Sequence, residues 1–381
     1  MKLAKWQGLG NDYLIVEESP LPGPLTAAAI GLLCDRHLGV GSDGILLHAQ
    51  PTGAVPGAVA RMRVFNPDGG EPEMCGNGIR IFARYLANAG VVSEREFVVE
   101  TLAGPIKPRL LDDGTVRVDM GRARFRSANI APAVGGASGA ACATSSAAVS
   151  AVGSATTSAA VSVVAGASTG TAPSAGVDVS AHADALADGD DVVDAVLQAG
   201  CWEYNFTFVD VGNPHCVIFV DDPAAFDVAG VGRLIERHRL FPNRTNVEFV
   251  RVEPDGSVRM RVWERGVGET QACGTGATAV GAACVRLGVA ESPVKVRLLG
   301  GDLTIEVEGD EGGAGREGAS GNGGLVGADP VDAATGAPGP GLRVFMTGPA
   351  EEVFTCTLSD DILNRLGWPA ATGGRPAPIT D

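Results

Sequence analysis

The feature that most constrains this chain is an internal repeat. Residues 61–78 read RMRVFNPDGGEPEMCGNG and residues 259–276 read RMRVWERGVGETQACGTG, an offset of 198 with nine of eighteen positions identical. A duplicated stretch of this quality has to fold the same way twice. Each copy reads as strand, loop, helix. Met62-Arg63-Val64-Phe65 and Met260-Arg261-Val262-Trp263 have the period of a strand, and the segments after Cys75-Gly76-Asn77-Gly78 and Cys273-Gly274-Thr275-Gly276 are nearly all apolar or small. Helices of that composition are buried around most of their circumference. Each cysteine stands fifteen residues before a Gly-Val, Gly90-Val91 and Gly288-Val289, the pattern of a helix C-cap. Two further pairs extend the match: Gly10 to Val16 faces Gly212 to Ile218, and Gly41-Ser42-Asp43 faces Arg244-Thr245-Asn246. The expected fold class is α+β, two pseudo-symmetric lobes from an internal duplication with the active site in the cleft between them.

Two stretches fall outside the repeat. From about Ser127 to Gln198 there is no Lys or Arg, and runs such as Ala147-Ala148-Val149-Ser150-Ala151-Val152-Gly153 recur. Side chains this small bury too little apolar area to offset backbone entropy, so 127–200 is expected to be a flexible low-complexity insertion or linker. A second, Gly-rich insertion is expected at about 309–341. It separates Leu303-Thr304-Ile305-Glu306-Val307 from Leu342-Arg343-Val344-Phe345-Met346, which read as one hairpin with an inflated turn. Residues 1–126 then form the N-terminal lobe and 201–354 the C-terminal lobe.

Charge narrows the class of partner. With 45 acidic against 29 basic side chains and a formal net charge of -16, the surface repels polyanions, and no nucleic-acid partner is expected. The first dozen residues turn polar before any apolar run long enough for a signal peptide, so no export is expected. The one long uncharged stretch, Ala140 to Gly176, is Ala, Ser, Thr and Gly rather than Leu and Ile, and no membrane span is expected there. Eight cysteines are scattered singly, which reads as reduced thiols in a cytoplasm. Cys34, Cys142, Cys201, Cys216, Cys284 and Cys356 read as packing or loop residues. The acidic cluster of Asp188, Asp190, Asp191 and Asp194 reads as a solvated linker rather than a cation site, and no metal is expected.

A helix start leaves backbone N–H groups unpaired and carries partial positive charge, so it favours a thiolate and binds carboxylates. Cysteine at such a place is expected to have its pKa drawn below the reference of about 8.5. Duplication sets one thiol on each side of the cleft. Two acid/base groups facing each other across a small substrate suit removal of a proton from one face of a carbon and its return to the other, which is stereoinversion. The α-hydrogen of an amino acid is a very weak acid, so donors at both helix starts have to hold the substrate carboxylate as it becomes enolate-like. One sulfur must be thiolate while the other is thiol. His215 and Glu264 are the candidates for setting that difference, within a pair that titrates as a unit.

These residues resemble those of the diaminopimelate epimerases. The matching blocks are GLGNDYLIV around Asn11, DRHLGVGSDGIL, RVFNPDGGEPEMCGNGIR around Cys75, VGNPHCVIF around Asn213 and His215, FPNRTNVEFV around Asn246, and ERGVGETQACGTGATA around Cys273. The resemblance implies a cofactor-independent enzyme that interconverts LL- and meso-2,6-diaminopimelate for lysine and peptidoglycan synthesis. It implies that Cys75 and Cys273 are the two acid/base thiols and that His215 and Glu264 tune them. Asn11, Asn66, Asn213, Asn246, Glu264 and Arg265 would bind the two amino-acid ends of the substrate, and Gly76-Asn77 and Gly274-Thr275 would supply amides around the reacting centre. The implied lobes are curved mixed sheets, each wrapped around a central helix, with a tail at about 355–381 returning to the first lobe. Where some relatives carry Gln this chain has Gly44, so that substrate contact is absent or made by backbone. A small amino acid, with at most a second copy of the chain, is the expected partner, and no cofactor is expected.

Two other readings are set against this one. A proline or hydroxyproline racemase has the same lobes, but calls for His in place of Asn77 and lacks a charged pair like Glu264-Arg265. A silent binding protein, or a redox sensor closing a disulfide between Cys75 and Cys273, has no need of every polar motif residue.

Overall fold

The computed structural model describes residues 1–19, 21–72, 75–131, 191–309 and 341–369. The first copy of the repeat contains β1 (Lys2–Gly8), β2 (Asn11–Glu17), α1 (Ala27–Cys34), β3 (Gly44–Ala49), β4 (Ala58–Phe65), α2 (Gly76–Asn88), β5 (Val98–Thr101) and β6 (Gly104–Ile106). The hairpin β7 (Pro108–Leu110) and β8 (Val116–Ala123) follows. After β9 (Ala195–Ala199), the second copy contains β10 (Trp202–Asp210), β11 (Pro214–Phe219), α3 (Val228–Glu236), β12 (Asn246–Val252), β13 (Val258–Glu264), β14 (Gly268–Thr270), α4 (Gly274–Leu287), β15 (Val294–Leu298) and β16 (Gly301–Glu308). β17 (Leu342–Gly348), β18 (Glu351–Thr357) and α5 (Asp360–Arg365) close the described chain.

The duplication holds strand for strand. β1 pairs antiparallel with β2, β2 parallel with β3, β3 antiparallel with β4 and β4 parallel with β5. β10, β11, β12, β13 and β15 repeat that order and those senses. A helix covers each parallel connection, as the geometry of a parallel crossover requires. The result is a two-lobe α+β fold.

The copies are not separate in space. β18 pairs with β1 and joins the first sheet, in the order β18-β1-β2-β3-β4-β5-β6. β8 pairs with β17 and so belongs to the second sheet, and just beyond it Arg124 bridges Asp210 of β10. The N-terminal lobe therefore does not own all of residues 1–126: β7 and β8 lie in the other copy's sheet. β16 and β17 pair antiparallel, and 310–340 between them lie outside the described residues.

The stretch read as one insertion over 127–200 falls mostly on 132–190, also outside the described residues. Its two ends are folded, which corrects those bounds. Ile130 and Val192 are buried and β9 pairs with β10, because the alternation through Val192, Leu197 and Ala199 supplies apolar side chains that a new edge strand buries. Asp188 and Asp190 lie outside the described residues, whereas Asp191 pairs with Arg286 and Asp194 accepts from Asn205.

One hydrophobic cluster runs through both copies, from Trp6, Ile79, Phe82 and Leu86 to Val280, Ala283, Val294 and Met346. α2 buries Ile79, Ile81, Phe82, Ala83 and Leu86 against strands of both sheets. α4 is built of smaller residues because it lies closer to its strands: a Cβ on Gly281 would stand 2.4 Å from the Ile305 side chain. Past the helices Gly90 and Gly288 take the left-handed φ that a helix end favours, 70° and 68°.

Candidate active site

The two Cys-Gly-x-Gly turns meet at the junction of the copies. Cys75 is the N-cap of α2, its sulfur accepting from Gly78 N–H at 3.2 Å, and Cys273 is the N-cap of α4, accepting from Gly276 N–H at 3.4 Å. Glycine follows each cysteine because the helix starts abut, and a Cβ on Gly274 would be 3.4 Å from the Gly76 carbonyl carbon. Asn77 ties the turns together, donating from Nδ2 to the carbonyl of Ala272 at 3.3 Å.

Around this junction the structure gathers most of the expected residues. Asn11 accepts from Asn77 Nδ2 at 3.1 Å and donates to Asp43 at 2.9 Å. Asp43 and Asp12 share Arg36, and Lys5 closes on Asp12 at 2.7 Å, so an ion network fixes the turn that carries Asn11. Burial opposes ionisation of Asp12, but Arg36, Lys5 and Asp43 outweigh it and bring its pKa to about 2. In the second copy Asn213 donates to Thr275 Oγ1 at 3.4 Å, and Thr275 Oγ1 stands 3.5 Å from the Cys273 sulfur. Asn246 accepts from the Arg265 backbone at 2.9 Å. Glu264 accepts from Thr270 and lies within reach of the Cys273 thiol. The Arg265 side chain is exposed and donates to the carbonyl of Asn243. Asn66 is not drawn in by its side chain: it is exposed, and its backbone closes a turn with Gly69 and Gly70.

The electrostatics differ from the expectation of depressed thiols. Burial pushes Cys75 up, against the Tyr13 hydroxyl and the Gly78 N–H. Burial pushes Cys273 well above the usual range, and the carboxylates of Glu264 and Glu248 add to it. Burial also raises Glu264, against hydrogen bonds from Thr270 and Cys273. The helix starts are present, but the loss of water around each sulfur outweighs them.

Four residues of the site escape the motif reading. Tyr13 places its hydroxyl 3.2 Å from the Cys75 sulfur. Glu248, fully buried, meets His215 Nδ1 at 2.6 Å, while the other ring nitrogen meets Asn213 at 3.1 Å. Arg80, fully buried, donates to the Gly76 carbonyl and to Asn77. Glu236 accepts from Gly266 N–H and Trp263 Nε1, holding the loop that bears Arg265. The repeat itself carried a signal for Tyr13, since it sets Tyr13 opposite His215. At Gly44 a Cβ would stand 2.6 Å from the Phe65 carbonyl oxygen and 2.8 Å from the Tyr13 ring, so no side chain fits there.

A duplicated α+β unit with a cysteine capping each of two abutting helices defines a class, the two-lobe racemases and epimerases. The solved structure of a probable proline racemase from Agrobacterium radiobacter has this fold, at 14% identity and a TM-score of 0.55 over 97% of this chain and 96% of that one. The model of the diaminopimelate epimerase family matches residues 3–126 and 207–323. The diaminopimelate epimerase of Moorella thermoacetica is 38% identical over 93% of this chain and 98% of that protein, and that of Desulforudis audaxviator 40% identical over the same shares. The chain belongs to the diaminopimelate epimerase family and is an isomerase. Among the described residues no helix is long and apolar enough to cross a membrane.

Proposed function

We propose that the chain interconverts LL- and meso-2,6-diaminopimelate by two-base proton exchange, with Cys75 and Cys273 as the catalytic acid/base pair. The observation that carries this reading is the pair of sulfurs capping two helices whose first residues touch. One thiolate takes the α-proton, leaving its electron pair on carbon, and the opposite thiol gives a proton to the other face. Asn77 and Thr275 with the amides of Gly76 and Gly274 stand at the helix starts, where unpaired N–H groups stabilise a carboxylate as it becomes enolate-like. Asn11, Asn66, Asn213, Asn246, Glu264 and Arg265 bind the two amino-acid ends. The bonds from Asn77 to Asn11, from Asn213 to Thr275 and from Arg265 backbone N–H to Asn246 support that grouping for Asn11, Asn213, Asn246 and Arg265; Glu264 is supported by its reach to Cys273, and the place of Asn66 rests on its motif. Glu264, within reach of Cys273, and His215, linked to it through Asn213 and Thr275, tune the thiols. The reading calls for no cofactor and no metal. It sets the reaction in the cytoplasm, where thiols stay reduced and the product enters lysine and peptidoglycan synthesis. A net charge of -16 argues against nucleic acid as a partner, and a second copy of the chain remains the one expected macromolecular partner.

The test is exchange of the α-proton of LL-diaminopimelate in heavy water under reducing conditions. Deuterium uptake with conversion to the meso isomer, lost in both Cys75→Ala and Cys273→Ala, is the expected result. Exchange of proline but not diaminopimelate would move the chain to the racemases. Exchange of neither would return it to binding or redox sensing.

A further inference from the structure

The two thiols have unlike neighbours, and the register of the sheets shows where the difference lies. Tyr13 on β2 stands opposite Gly44 of β3, and His215 on β11 stands opposite Asn246 of β12. Both members of the first pair lie 202 residues before their counterparts, which corrects by one residue the sequence pairing of Asp43 with Asn246, so Tyr13 and His215 occupy one structural position in the two copies. His215 turns to Glu248 and Asn213, whereas Tyr13 meets the sulfur itself at 3.2 Å. Tyr13 is only 6% exposed, and its ring fills the space a side chain at Gly44 would need.

That contact has a direction once Cys75 is ionised. A thiolate has no proton to give, so the phenol donates. The phenol keeps its proton, because burial and the neighbouring sulfur push its ionisation well above the usual 10. A thiolate at Cys75 thus receives Tyr13 O–H and Gly78 N–H, and buried Arg80 on α2 adds a positive charge beside it. The opposing charges are Glu264, which reaches both thiols from β13, and Asp43, which acts on Tyr13. Cys273 receives Gly276 N–H and faces Thr275, but also the carboxylates of Glu264 and Glu248.

We propose that Tyr13 is a positioning residue that holds Cys75 as the resting thiolate, leaving Cys273 as the resting thiol. The proposal rests on the two-thiol reading above. In the turn it starts, a C–H bond breaks and S–H forms at Cys75, while S–H breaks at Cys273 and C–H forms on the opposite face. Tyr13 keeps its proton throughout. The enzyme ends with the thiolate at Cys273 and returns to rest by exchanging protons with solvent.

The test is the pH dependence of iodoacetamide alkylation at each cysteine, read by peptide mass spectrometry in the full-length protein and in Tyr13→Phe, which keeps the ring. In the parent protein the Cys75 profile is expected to rise at lower pH than the Cys273 profile. In Tyr13→Phe the Cys75 midpoint moves up by about one unit, a tenfold loss of thiolate below it, and the acid limb of kcat/KM moves with it. Because overall equilibrium is unchanged, kcat/KM shifts equally in both directions of reaction. A Cys75 midpoint that stays in place in Tyr13→Phe, or a parent protein in which Cys273 ionises first, would overturn the proposal. Alkylation needs no turnover, so these outcomes are distinct from epimerisation surviving Cys75→Ala, which would overturn the two-thiol reading instead.

Discussion

At the scale of single residues, the buried pair of His215 and Glu248 is the part of the site most exposed to mutation. Both side chains are fully buried, and one Glu248 oxygen has no hydrogen-bond partner. Removing one member leaves the other a buried polar group without that partner, at about 1–3 kcal/mol. Glu248→Ala is therefore expected to lower the free energy of urea unfolding by that amount, while Arg265→Ala, on an exposed side chain, leaves it within about 0.5 kcal/mol of the parent. The sequence made the junction positions of Cys75, Cys273, Asn11, Asn213 and Asn246 legible because each sits in a specific block, whereas Asn66, in an equally specific block, is an exposed residue whose backbone closes a turn. It hid Glu248, because in the first copy the equivalent position is Leu46, an ordinary core residue, and nothing local marks one as structural and the other as polar. It half-hid Tyr13, whose ring continues the apolar run of its strand while only its oxygen belongs to the site.

At the scale of elements, α2 and α4 each begin on a sulfur that accepts the N–H three residues on. The proposed acid/base group is thus also the cap, and the two roles separate by substitution. Loss of an N-cap acceptor costs about 1 kcal/mol. Cys75→Ala is expected to be destabilised by that amount in urea unfolding relative to Cys75→Ser, whose hydroxyl still accepts from Gly78. Both variants are expected to lose epimerisation, and equal stability of the two would show that the sulfur contributes nothing as a cap. The helices and the strands before them were legible from periodicity. The return of the tail to the first lobe was implied by the resemblance and not by periodicity. The crossing of β8 into the second sheet was not legible, because an alternating run shows that a strand exists and gives no sign of which edge it joins. The same holds for β9, whose few apolar residues lie at the end of a long Ala, Ser and Gly stretch.

At the scale of the whole molecule, acid is expected to weaken the fold through two groups of opposite kind. Burial lowers His238 from 6.5 to about 4, so between those values the unfolded chain holds the extra proton and stability falls as the pH falls. Asp12 is held at about 2 against 3.8, so its contribution is complete above about pH 4 and lost towards pH 2. Urea unfolding at pH 7 and pH 4.5 is expected to differ by on the order of 2 kcal/mol, and His238→Gln should remove most of that slope. An unchanged slope in the variant would place the sensitivity elsewhere.

The exchanged strands bear on how such a site could come to have unequal halves. Two identical half-length chains, each lending its last strand to the other, would make the same cleft from two equal copies, and whatever faced one sulfur would face the other. Joining the copies into one polypeptide removes that constraint. A phenol can then stand where its twin is an imidazole, and a leucine where its twin is a carboxylate. Covalent continuity here is what permits a symmetric frame to hold an asymmetric pair of acids.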